Sequence, residues 1–105
     1  MTMFPQPSYS LLAKTANYTA EPGDVVLVTA GSTAITVTLP GVATLGPVTV
    51  RKVDGTGTGT VTVVTADGSK VDGITGTTGR AVGAASTVSG ATLVSDGSNW
   101  YTVGS

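Results

Sequence analysis

From Tyr18 onward apolar and polar residues alternate in short runs, and turn residues interrupt the alternation every few positions. In "ITVTLP", Ile35, Val37 and Leu39 share one face, Thr36 and Thr38 the other, and Pro40 ends the run. A period of two is the mark of a strand with one face buried. "VTVRKV" sets Val48 and Val50 on one face and Thr49, Arg51 and Val53 on the other, so the adjacent Arg51 and Lys52 point in opposite directions. "VVLV" (Val25–Val28) is apolar at every position and predicts a strand covered on both faces. "VTVVT" (Val61–Thr65), "TVSGATLVS" (Thr87–Ser95, with an interruption at Gly90) and "WYTV" (Trp100–Val103) complete the series. β-Branched residues dominate, and no stretch is long enough for a helix. Gly73–Ser86, "GITGTTGRAVGAAS", predicts a long loop with a weak strand.

The turns share one chemistry. Asp-Gly occurs at 54–55, 67–68, 72–73 and 96–97, beside or between the apolar runs. Both residues tolerate the positive φ that tight hairpins require. The spacing predicts an all-β chain, a small antiparallel β-sandwich or barrel of short strands over residues 17–105. Residues 1–16 lack both periods and hold Pro5 and Pro7, which predicts an extended N-terminal arm.

Composition sharpens this picture. The chain has 105 residues with 5% aromatics and 10% charged residues, so its core must be built from Val, Leu, Ile and Ala. A chain of this size buries only about two-thirds of its unfolded surface, and association is the obvious way to enclose more. A net charge of −1 lacks the basic patch of a nucleic-acid or anionic-membrane binder. Neither Cys nor His is present, and the lack of Cys removes disulfides and Cys-based metal sites. "MTMFPQPSYSLLAK" has neither a basic n-region nor a long apolar run, and so reads as neither signal peptide nor membrane span.

Candidate chemistry is sparse. Glycoside hydrolysis needs two carboxylates facing across a cleft, but four of the six acids precede Gly in turn contexts. The calcium-loop pattern is absent, and the glycines at 55, 57 and 59 precede a strand rather than the helix a phosphate cradle needs. Without His, the Ser and Thr hydroxyls have no ordinary base. No catalytic, cofactor or metal residue is assigned. Tyr9, Tyr18, Trp100 and Tyr101 could form a binding platform, although packing explains them more simply. Trp100 follows "DGSN", a four-residue connection suited to a hairpin between Leu93–Ser95 and Trp100–Val103. It is expected to plug the end of the core, with its N–H on a carbonyl or water. Tyr101, on the opposite face, is expected to meet solvent or a neighbouring chain.

The series "YTAEPGDVVLV", "ITVTLP", "VTVRKVDGTGTGTVTVVTADGSKVDG" and "ATLVSDGSNWYTV" resembles the β-rich virion modules of tailed bacteriophages. These include trimeric tail-fibre and baseplate domains and capsid decoration (cement) proteins. The resemblance covers Tyr18 to Val103, and its telling parts are Thr38-Leu39-Pro40, Val71-Asp72-Gly73 and Ser95–Tyr101. It implies a structural virion protein, a homotrimer without cofactor. Because the sequence starts at Met1 and stops two residues after the last strand, the expectation is a free-standing decoration protein. Such a protein would bind the major capsid protein on the outer surface of the head and stabilise it. Phe4, Pro5, Tyr9, Leu11 and Leu12 of the arm are the candidate contacts. The competing readings are a tail-fibre or baseplate module binding a host receptor or glycan, and a polysaccharide-degrading enzyme.

Overall fold

The computed structural model describes residues 10–43 and 46–104, in which eleven strands form two sheets. The strands are β1 (Ser10–Lys14), β2 (Tyr18–Thr19), β3 (Asp24–Val28), β4 (Ile35–Thr38), β5 (Val48–Lys52) and β6 (Val61–Val64). They are followed by β7 (Lys70–Val71), β8 (Ile74–Thr75), β9 (Arg80–Gly83), β10 (Ser89–Ser95) and β11 (Trp100–Val103). The larger sheet has the order β1-β3-β5-β10-β11-β7-β8, and the smaller β2-β4-β6-β9.

The expected antiparallel arrangement gives way to mixed sheets. β1, β3 and β5 run parallel to one another, as do β2, β4 and β6, while β10 closes antiparallel on β5 and β9 on β6. The first six strands alternate between sheets, so each turn of chain adds one strand to each. Parallel neighbours need a long crossover, and here the intervening strand of the other sheet provides it. Period two reveals which face of a strand is buried but not the direction of its partner, so the sequence could not display this winding.

Alternation otherwise behaves as its side chains dictate. Val26, Val28, Val48, Val50 and Leu93 of the larger sheet join Ile35, Val37, Val61 and Val63 of the smaller in one hydrophobic cluster. Several such side chains each contribute about 1.5–3 kcal/mol when fully buried. In β3 Asp24, Val26 and Val28 share the buried face, and Val25 and Leu27 on the other face are half-covered, so the run is not enclosed on both sides. β10 continues through Gly90, which stands opposite Arg51. A Cβ at Gly90 would lie 2.3 Å from the Val50 carbonyl oxygen, so the glycine permits close approach rather than a break. Gly73–Ser86, expected as a long loop with a weak strand, contains two short strands, β8 and β9, the second paired with β6 across an irregularity at Val61/Thr62.

Two hairpins follow turn chemistry directly. Asp72 and Gly73 (φ 51° and 80°) connect β7 to β8 as a two-residue turn with both central φ positive. The "DGSN" connection joins β10 to β11, with Ser95 opposite Trp100.

The expected arm is not separate from the sheet throughout. Ser10–Lys14 form β1, paired in register with Asp24–Val28. As an edge strand it covers one side of β3 only, which leaves too weak an apolar alternation to stand out in the sequence. Phe4, Pro5 and Tyr9 lie outside the described residues.

Candidate functional site

All five aspartates are committed to holding backbone or hydroxyl groups. Asp24 accepts from the Glu21 N–H (2.8 Å) and the Tyr18 hydroxyl (2.8 Å). That bond, with burial and the nearby Asp24 and Glu21 charges adding to it, pushes the Tyr18 phenol up to about 12. Asp54 accepts from the N–H groups of Gly31 and Ala30, and these, with Lys52, hold its carboxyl below the usual carboxylate range. Asp67, bonded to the Ser69 hydroxyl and the Val42 and Ser69 N–H groups, is lowered in the same way. Asp96 is lowered by the Asn99 and Ser98 N–H groups that it caps inside the "DGSN" turn.

Asp72 reaches across to two other strands. Burial alone would raise its pKa, but the Thr102 hydroxyl (2.6 Å) and N–H (2.9 Å), helped by Arg80, bring it below the ordinary value. Its Oδ2 also lies 3.3 Å from Arg80 Nε, so one carboxylate ties β11 and β9 to the β7–β8 turn.

Lys52 is the unforeseen member of this set. It lies on the same face of β5 as Val48 and Val50, with its side chain fully buried. A buried ammonium needs partners to offset desolvation. Nζ donates to the carbonyls of Asp54 (2.5 Å), Gly57 (3.0 Å) and Thr87 (3.4 Å), close to the Asp54 carboxylate. The Gly/Thr-rich stretch after β5 is therefore tied down. Alternation shows that Lys52 opposes Arg51, but the three carbonyls awaiting it come from two separate loops and leave no signal in sequence.

Trp100 is wholly buried among the core residues, as a plug requires. Its indole N–H, expected to reach a partner, has none among the described residues. Tyr101 on the other face is 39% exposed.

Two expectations made separately meet on the outward face of the larger sheet. The registers align Leu11, Val25, Thr49, Thr92 and Val103 in one row across β1, β3, β5, β10 and β11. The Thr49 and Thr92 hydroxyls are 3.0 Å apart at its centre. Leu11 is 62% and Val103 46% exposed. Tyr101, opposite Val94, lies beside the row on one flank, and Leu27 with Arg51 on the other. Leu12 takes the other face of β1 and is half-buried, so the two leucines do not act together. Val25, Leu27, Val94 and Val103 were not foreseen as surface residues. For Val25 and Leu27 the signal was the unbroken apolar run in β3, whose second apolar face looks outward.

Among the described residues no group of three or more Asp or Glu side chains converges to hold a metal, and no helix is long and apolar enough to cross a membrane. The class that fold and site define is a β-rich protein of two mixed sheets with aspartate-bound loops. No protein family, curated protein or solved structure matches the chain.

Proposed function

We propose that the protein is a structural virion component, a capsid decoration protein whose two sheets pack as a sandwich and which binds the outer capsid surface as a homotrimer. The outward apolar row from Leu11 to Val103 carries this reading. A sheet face with exposed apolar side chains at both ends of a row, a pair of mutually bonded threonine hydroxyls at its centre and Arg51 on one flank suits a broad protein contact better than it suits a small polar ligand. The commitment of every aspartate to backbone N–H or hydroxyl groups of the fold supports the same reading, since a hydrolase would keep two carboxylates for substrate. The partner is the major capsid protein. Adhesion to neighbouring capsid subunits opposes the outward pressure of packaged DNA. The sequence resemblance to phage virion modules supports the assignment.

The test is quantitative mass spectrometry of the particle carrying this protein, joined to reconstruction of the particle. Hundreds of copies on the outer head surface are expected. A handful of copies at the tail would replace this reading with a receptor-binding fibre or baseplate module, and absence from the particle would end both.

A further inference from the structure

A groove of about 320 Å³ lies between β9 and β10, away from the apolar row. It falls at the small end of the ~300–1,000 Å³ typical of binding pockets. Its floor and walls come mainly from Ala81 and Ala84 on one side and Gly90 and Ala91 on the other, with Arg80 and Thr102 also lining it. Small side chains keep it open.

Two strand edges border this space. Among the described residues β9 pairs only with β6, so its other edge is open. β10 pairs with β5 from Ser89 to Leu93 but with β11 only from Thr92 onward. Among the described residues, Ser89, Gly90 and Ala91 therefore have a strand, β5, on one side only. Unpaired backbone N–H and C=O groups on a sheet edge form a template for another extended chain.

Arg80 gives the groove a charge preference. Its side chain is 45% exposed, and Nε faces Asp72 Oδ2 at 3.3 Å. The same Asp72 holds the Thr102 hydroxyl and N–H, so the arginine is fixed from one side. A guanidinium has five donors in a planar fork, and the terminal nitrogens remain for a second carboxylate.

We propose that this groove binds an extended peptide segment of a partner protein, adding as a strand beside β9 and placing a carboxylate on Arg80. The incoming backbone pairs with the open edge, small side chains enter between Ala81 and Ala91, and the carboxylate, from a side chain or a chain terminus, completes the arginine fork. The inference goes beyond the virion reading and does not rest on it.

The test is an amide-resolved NMR titration of the full chain with acetyl-Ala-Val-Asp-Val-Ala-amide. Its Asn counterpart, acetyl-Ala-Val-Ala with a free C-terminal carboxylate, and sodium acetate serve as comparison ligands. Saturable shifts confined to residues 80–84, 89–91 and 102 are expected, with the Asp peptide binding about tenfold more tightly than the Asn peptide, as for one charge-assisted contact of roughly 1.4 kcal/mol. Tight binding of the free-carboxylate peptide would assign the source to a chain terminus, still within the proposal. Arg80→Gln should erase the Asp/Asn preference, and Ala81→Trp should abolish binding while the melting temperature stays near the parent's. Loss of fold in Ala81→Trp would leave Arg80→Gln, an exposed site, to decide. The proposal fails if no peptide saturates, if shifts centre on β1 or β8, if acetate alone reproduces the pattern, or if Arg80→Gln keeps the preference.

Discussion

The ammonium of Lys52 lies 3.5 Å from the Asp54 carboxylate, and between them the two residues secure the loops that follow β3, β5 and β9. Lys52 binds the Asp54, Gly57 and Thr87 carbonyls, and Asp54 binds the Ala30 and Gly31 N–H groups. Removing one partner of a buried pair costs about 3–5 kcal/mol, because polar groups remain unpaired. Lys52→Ala should fall in that range by urea denaturation. Lys52→Met, which keeps the apolar stem, should still lose stability, since the carbonyls lose their donor. A parental midpoint for Lys52→Met would show that the lysine acts by packing alone.

Trp100 yields a graded prediction. Trp100→Ala should cost ~3–5 kcal/mol, a large share of the ~5–15 kcal/mol typical of a domain. Trp100→Phe should cost much less, because it also removes an indole N–H that has no partner among the described residues and carries an unsatisfied-donor penalty of roughly 1–3 kcal/mol. Equal losses in thermal melts would show that the N–H does have a partner.

The four lowered aspartates fix an acid response. Asp54, Asp67, Asp72 and Asp96 have folded pKa values below the ordinary aspartate value of 3.8. Their stabilisation is complete above that value and is lost as pH falls through the depressed folded values. The melting temperature should therefore change little on account of these groups between pH 7 and about 5 and fall below about 4. Asp67→Asn should flatten that fall.

Tyr18 gives the opposite sign at the alkaline end. Its pKa in the fold, about 12, exceeds the ordinary phenol value of 10.0. The associated stabilisation is present below pH 10 and is lost as pH rises from about 10 through 12. Ultraviolet titration should show one phenolate transition near 12 that Tyr18→Phe removes.

The outward row predicts an assembly defect. Light scattering should give three times the monomer mass, and a monomer at micromolar concentration would oppose the trimer. Leu11→Glu and Tyr101→Glu place charges on exposed positions and should leave the β spectrum intact while reducing capsid occupancy. Unchanged occupancy for both would remove this face as the contact.

Strand identity was largely legible in the sequence. Ile35, Val37 and Leu39 are buried as alternation requires, and the Trp100 hairpin forms where "DGSN" places it. Arg51 and Lys52 separate to exposed and buried faces. Strand direction was not legible, because Val25 beside Thr49 and Val50 beside Ala91 look alike in pattern although one pair is parallel and the other antiparallel. Nor was the surface row, since Leu11 and Val103 come together only through the registers of three intervening strands. Arg80 drew no notice in a stretch of Gly, Thr and Ala, and its partner Asp72 looked like a turn residue.

The alternating winding of β1 to β6 has a kinetic consequence. Parallel neighbours cannot zip from a tight turn: Ser10 must find Asp24, and Val25 must find Thr49, each after a loop that crosses the other sheet. The β10–β11 and β7–β8 hairpins close locally, and local contacts carry the smaller loop-closure entropy. Folding is therefore expected to start near the C-terminal end and recruit the N-terminal strands last, against the order of synthesis. Quenched-flow hydrogen exchange should protect amides of β10 and β11 before those of β1, and simultaneous protection would show that the sheets form in one step. During synthesis β1 and β3 would then wait unpaired until β10 and β11 had emerged to close on β5.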